Sequence, residues 1–306
     1  THPLLKNVNG VNDLLASDLS KIQIDINTLK RTQNTEKFVL SQLVKLIDLS
    51  FAQQQLELTT QRLALSEQEL TLVKEKFAQS VVDQVDVKQL QAEQELDLLK
   101  AELSIILNLP PKLIHSDFNL YQLYENNLGD VTTYLRENTA EMKIAKLDQA
   151  LLQRQLLSDK NNTQAQLDLQ LGVSNKNDND WNIGLGLSYP LGDTKAKTAL
   201  EKTYINLSKA KENSAEQLLN LRVTQNVLSK KLTHLTKLLN TYQARIKIAN
   251  SRALEEKKRY ELGNSQISFV ISAQNNVHDV KLAYAQVATS YQKTILEYKA
   301  TIDQLM

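Results

Sequence analysis

Four histidines are the first residues to weigh for chemistry: His2, His115, His234 and His278. They are scattered, and none stands at metal-ligand spacing from a second His or a carboxylate. His278 and Asp279 are adjacent, so on a helix they diverge. Packing or surface roles account for all four. The chain has no Cys, which excludes disulfides, thiolate metal sites and Cys nucleophiles. Gly172, Gly184 and Gly186 fall inside strand patterns rather than in a strand-to-helix turn followed by Lys, so they form no phosphate loop. Asp83 and Asp86 could hold a cation, or Asp83 could simply cap the helix that follows. Other acids interleave with Lys on helical patterns, as solvated faces and i,i+4 pairs do. With 36 basic and 35 acidic residues, net charge +1 and no nucleic-acid motif, no RNA or DNA partner is expected. No catalytic residue, metal or cofactor is predicted.

The elements that carry these residues are few and long. Only 7 Gly and 4 Pro punctuate 306 residues, and Leu, Gln, Lys, Glu and Ala dominate. One helical pattern runs from about Thr28 to Gln79, a rod of roughly 75 Å. A second follows from Asp83 to Leu107 and stops at Pro110 and Pro111. Lys112–Asp130 is irregular. Helical pattern resumes over Val131–Lys160, then covers Thr194–Leu262, and after Gly263 continues to the C-terminus. No apolar run reaches the ~20 residues of a membrane-spanning helix, so a bilayer crossing would need β-strands. Thr1 opens no signal peptide, so a secreted protein is expected here in mature or trimmed form.

Heptad spacing marks the long helices. Leu56, Leu63, Leu70 and Phe77 form one series and Leu58, Leu65 and Leu72 another, about 200° away around the helix. Such a helix packs on both flanks, as in a wall of helices. In the later helix Leu228, Leu235, Tyr242 and Ala249 accompany Leu232, Leu239, Ile246, Ala253 and Tyr260. The chain also repeats. Lys76–Ser80 resembles Arg259–Gly263, and Val87 and Gln91 match Val270 and Gln274 at an offset of 183. His2–Lys6 resembles Thr139–Lys143 at an offset of 137. This shift predicts a segment missing near Ile22–Thr28, and hence three parts: a first helical repeat over 1–110, an irregular segment over 111–130 and a second repeat over 131–306 containing a hairpin at 166–191.

That hairpin alternates strictly. Leu167, Leu169, Leu171, Val173, Trp181, Ile183, Leu185, Leu187, Tyr189 and Leu191 share one face of strands Gln166–Ser174 and Trp181–Leu191, and the other face is polar or Gly. Trp181 and Tyr189 stand about 26 Å apart at ~3.3 Å per residue, near the ~25 Å apolar band of a membrane barrel. A soluble hairpin lying on helices remains open. If the strands span a membrane, other subunits or segments must supply the strands that close a barrel.

Helix, hairpin, very long helix, tight turn and helix, with Tyr260-x-x-Gly263, Phe77-Ala78-Gln79-Ser80 with Asp83 and Asp86, and Leu187-Ser188-Tyr189-Pro190-Leu191-Gly192-Asp193, resembles the outer-membrane efflux protein family, the TolC-like outer-membrane factors. Leu107–Pro110 resembles the family's Leu-x-Gly-x-Pro bend. The resemblance covers nearly the whole chain. It implies a mostly α homotrimer: long helical hairpins form a periplasmic α-barrel, and transmembrane β-hairpins share one β-barrel in the cell outer membrane. It implies a passive duct for efflux or type I secretion, which docks through its tips onto a periplasmic membrane-fusion adaptor linked to an inner-membrane transporter. The tips would hold Ser80, Asp83, Asp86, Gly263, Ser265, Phe269 and Ser272. Relatives often carry acids where this chain has Phe269 and Ser272, and Arg where it has Ser265. Asp86 keeps the family's acid in the first repeat but its usual basic partner is absent, so closure by that ion pair is not expected, and Phe269 would form a hydrophobic constriction instead. A soluble coiled-coil scaffold or interaction protein is the alternative reading of the same heptads.

Overall fold

The computed structural model describes residues 12–72, 93–94, 96–124, 130–174, 180–188 and 194–305. Helix α1 spans Asn12–Leu72, and a helical segment, α2, covers 96–107. A single 3-10 turn at Pro111–Leu113 opens the irregular stretch. Helices α3 (Val131–Asn138) and α4 (Ala140–Asn162) lead into strands β1 (Gln166–Ser174) and β2 (Asp180–Ser188), followed by α5 (Thr194–Glu261) and α6 (Ile267–Thr301). At 61 and 68 residues, α1 and α5 are the uninterrupted rods that the scarcity of Gly and Pro dictates.

Two expectations need correction. Helix α1 does not begin near Thr28: it runs unbroken through Lys21–Thr28, with Ile26 only 1% exposed. The start of α5 lies 182 positions after that of α1, and the turns beyond the two helices match at an offset of 183. The helix starts and the residues matched beyond the two helices thus share nearly one offset. Within four positions of that offset, His2-Pro3-Leu4 aligns with Tyr189-Pro190-Leu191 rather than with Thr139-Ala140-Glu141. The second correction concerns Val131–Lys160, which is two helices. Thr139 sits extended (φ −72°, ψ 138°), ending α3 and starting α4, and its hydroxyl donates to the Leu135 carbonyl at 2.6 Å.

The chain divides into two compact units, Thr1–Thr35 with Leu128–Val223, and Glu36–Asn127 with Thr224–Met306. In the first, α4 is tied to α1 by Arg154–Asp18 (3.7 Å) and to α5 by Thr203 Oγ1 donating to Asp159 (2.7 Å). Leu135, Met142 and Leu207 are buried there.

In the second unit, packing joins α2 to α1, α1 to α6 and α6 to α5. Leu49 and Ala52 of α1 meet Leu96 and Leu103 of α2. Ile47 of α1 meets Ala288, Tyr291 and Ile295 of α6 together with Leu239 of α5. Ala249 and Ala253 of α5 meet Ala273 and Val277 of α6, small residues that let two backbones come close. Helix α6 has partners on both flanks, and 15 of its 35 residues are buried. It also holds the irregular segment. Gln292 Nε2 donates to the Leu120 and Gln122 carbonyls (2.9 and 2.7 Å), Tyr291 Oη accepts from Tyr124 N–H (3.0 Å), and Tyr284 stacks on Tyr121 at 4.7 Å. Burial pushes the Tyr121 phenol up to about 12, so it stays neutral.

Gln292→Leu removes the donor for two carbonyls at once. It is expected to lower unfolding stability by about 1–3 kcal/mol and to speed proteolytic cleavage within residues 114–124, read by urea titration and limited proteolysis. Cleavage at the parental rate would show that Gln292 does not hold the segment.

Candidate functional sites: the Gly263 turn and the β-hairpin

Helix α5 ends because Gly263 adopts φ +75°, a left-handed conformation that side chains resist. Gly263 N–H donates to the Tyr260 carbonyl (2.9 Å) and Asn264 N–H to the Arg259 carbonyl (2.8 Å). These two bonds are the Schellman closure of a helix C-terminus. The chain restarts at Ile267, with Gln266 extended at the N-cap of α6. Beneath the turn Ile267, Val270 and Ile271 are buried against Leu63 and Tyr260. Burial of these residues fixes which side of the first turns of α6 faces out: Phe269 is 57% exposed and Ser272 is exposed one turn on. Leu262, beside the glycine, is 74% exposed.

The tip therefore presents Leu262 and Phe269 to the surroundings. Ser265 does not join them: its Oγ donates to Glu256 of α5 at 3.0 Å, which straps the turn back onto the helix before it. Gly263, Ser265, Phe269 and Ser272 lie together around one turn, whereas Ser80, Asp83 and Asp86 lie outside the described residues. Two residues near this turn escaped the sequence reading. Glu256 carried no signal beyond its place in a charged helix. Arg62, 3% exposed, donates from Nε to Asn275 at 2.8 Å and couples α1 to α6 below the tip. Its signal was a lone cation one residue from the Leu63 seam.

Among the described residues no group of three or more His, Asp or Glu is placed to hold a metal ion. His115 pairs with Asp117 at 3.0 Å and touches Gln53, His234 is exposed, and His278 is buried in α6. His2 lies outside the described residues.

The hairpin pairs antiparallel with Leu167 opposite Leu187, Leu169 opposite Leu185, Leu171 opposite Ile183 and Val173 opposite Trp181. This register sets every apolar position of one strand against an apolar position of the other, and Asp168 and Gln170 against Gly186 and Gly184. Leu185 and Leu187 are 71% and 74% exposed. Tyr189 and Leu191 lie outside the described residues. The sheet has two strands, and such a hairpin alone is marginal in water. Among the described residues no helix is long and apolar enough to cross a membrane.

No protein-family model and no curated protein matches this sequence. Solved structures do match it in shape. The open-state MtrE outer-membrane channel of Neisseria gonorrhoeae aligns at 11% identity over 95% of this chain and 72% of its own, with a TM-score of 0.80. The CmeC outer-membrane channel of Campylobacter jejuni aligns at 14% identity over 94% and 67%, TM-score 0.74. The outer-membrane protein VceC of Vibrio cholerae aligns at 12% over 93% and 75%, TM-score 0.71. The chain has the fold of these channel proteins.

A Cβ at Gly263 would meet nothing within 4 Å, so Gly263→Ala carries backbone strain alone. It is expected to destabilise by about 1–2 kcal/mol, with Gly263→Asn losing less. Chemical unfolding of the two variants checks this, and equal stability of Ala and Gly would refute the left-handed turn.

Proposed function

We propose that this chain is one subunit of an outer-membrane exit duct, a passive channel that reaches into the periplasm. One observation carries the reading: a hairpin whose cross-strand register puts all its leucines on one face, with Leu185 and Leu187 exposed, set between long helices in a channel fold. In lipid every backbone N–H and C=O needs a protein partner, and two strands leave both edges open. The edges close when hairpins of several copies join one barrel, which makes the working form a homo-oligomer, a homotrimer by the resemblance. The leucines then face lipid, and the Gly and polar positions face the water-filled lumen.

The α-helices continue the duct below the membrane, and the Gly263 turn is its periplasmic entrance. Exposed Leu262 and Phe269 are apolar groups at a tip, suited to seat on the adaptor protein that links the duct to an inner-membrane transporter. That transporter supplies the energy, for efflux of small compounds or for type I secretion. Phe269 side chains converging from several copies would narrow the entrance by an apolar ring, which resists wetting. The rival, a soluble scaffold of coiled coils, predicts a monodisperse protein that needs no detergent.

Leu185→Arg places a cation against hydrocarbon and is expected to cost about 2–4 kcal/mol at the bilayer midplane, seen as loss of heat-resistant oligomer in the outer-membrane fraction of cells expressing the full chain with a secretion leader. Undiminished insertion would argue against a lipid-facing site. Phe269→Ala is expected to raise single-channel conductance in planar bilayers, and an unchanged current would end the constriction idea.

A further inference from the structure

A cavity of about 570 Å³ lies in the second unit between α1 and the irregular segment. Its volume falls within the range of small-molecule sites. Its walls are fixed by bonds on both sides. Ser116 Oγ pairs with Ser50 Oγ at 2.6 Å, Ser116 N–H donates to Gln53 Oε1 at 3.3 Å, and Tyr121 N–H donates to Asn119 Oδ1 at 3.0 Å. Beyond the cavity the segment is held by the stack of Tyr121 on Tyr284 and by Gln292. The cavity is thus built into the fold and needs no occupant to keep its shape.

The groups that the fold leaves open in the lining set the chemistry of a ligand. Leu56, Leu96 and Leu120 are apolar walls, and the Phe118 ring is 43% exposed. Asn119 uses its side-chain oxygen on Tyr121, which leaves its NH2 to donate. Gln54 donates its amide to the Tyr121 phenol, which leaves its carbonyl to accept. Glu57 is exposed and takes Gln61 on one oxygen at 3.2 Å, which leaves the other. His115 is paired with Asp117. Among the described lining residues there is no Lys or Arg, so Glu57 repels anions with nothing to offset it. A wholly apolar ligand would strip water from Gln54, Glu57 and Asn119 and return no hydrogen bond. An ammonium group would answer Glu57 and leave the two amides unanswered. A ring with C–H faces and a rim of hydroxyls answers all of them, because each hydroxyl both donates and accepts.

We propose that this cavity binds a short neutral saccharide, with the C–H face of one sugar ring on Phe118 and the leucines, and its hydroxyls on Gln54, Glu57 and Asn119. The site does not rest on the duct reading, and neither the Gly263 turn nor the hairpin contributes a residue to its lining.

The test uses the full chain, in a detergent without a sugar headgroup where detergent is needed, with cellobiose and N,N′-diacetylchitobiose as probes. Saturation-transfer NMR should show transfer to at least one of them, and titration calorimetry should give its Kd. Phe118→Ala should weaken that binding at least tenfold. Asn119→Asp keeps the oxygen that Tyr121 N–H needs and removes only the NH2, and it should weaken binding to a similar degree. Both side chains are exposed, so the urea midpoint should stay unchanged. Glucuronic acid should bind more weakly than glucose, and Glu57→Gln should narrow that gap. Absence of transfer to either probe, a preference for glucuronic acid, or binding that survives both Phe118→Ala and Asn119→Asp overturns the proposal.

Discussion

The double-sided burial of α6 is the constraint on which the rest of the larger unit depends. A helix packed on one flank needs a single apolar stripe, but α6 meets α1 on one side and α5 on the other and buries residues almost all the way round. Residues of both long helices join one cluster with α6, Ile47 of α1 and Leu239 of α5 together with Ala288, Tyr291 and Ile295. The same helix carries the polar side chains that hold the irregular segment, through Gln292 and Tyr291. Remove its packing, and the row loses its order and the 114–124 stretch loses its anchors.

Sidedness, rather than reactive chemistry, runs through the molecule. In the hairpin a period of two separates an apolar face from a face of Gly and short polar residues. In the helices a period near 3.6 separates buried seams from charged stripes. At the Gly263 turn the buried trio Ile267, Val270 and Ile271 decides that Phe269 faces out. Each surface is set by the period of its element and by which positions the neighbouring elements bury.

Much of this was legible in the sequence because long rods and strict alternation leave strong periodic signals. The two strands, the end of α5 at Gly263 and the long unbroken helices follow from spacing and from the scarcity of Gly and Pro. Thr139 was not legible: a lone Thr is only a mild helix breaker, and its break depends on its hydroxyl reaching the Leu135 carbonyl. The start of α1 was not legible either: Lys21–Thr28 has no helix-breaking residue, and the apolar pattern there is too weak to show that the helix already runs through it. The order of the helices was also out of reach. A seam shows that a flank is covered, and only contacts such as Lys45–Glu102 and Asp48–Lys293 show by which helix. The strap from Ser265 was not legible, because nothing in the spacing shows that Glu256, nine positions earlier, accepts from its hydroxyl.

The place of α6 in the sequence has a consequence for how the molecule is made. Its contacts with α1 join residues more than 200 positions apart, as Arg62 and Asn275 do. A chain delivered from its N-terminus therefore exposes the apolar seams of α1 and α5 in the larger unit until α6 arrives, and long-range closure of this kind is slow and open to misassociation. The row of helices in the larger unit therefore consolidates only after α6 has been made.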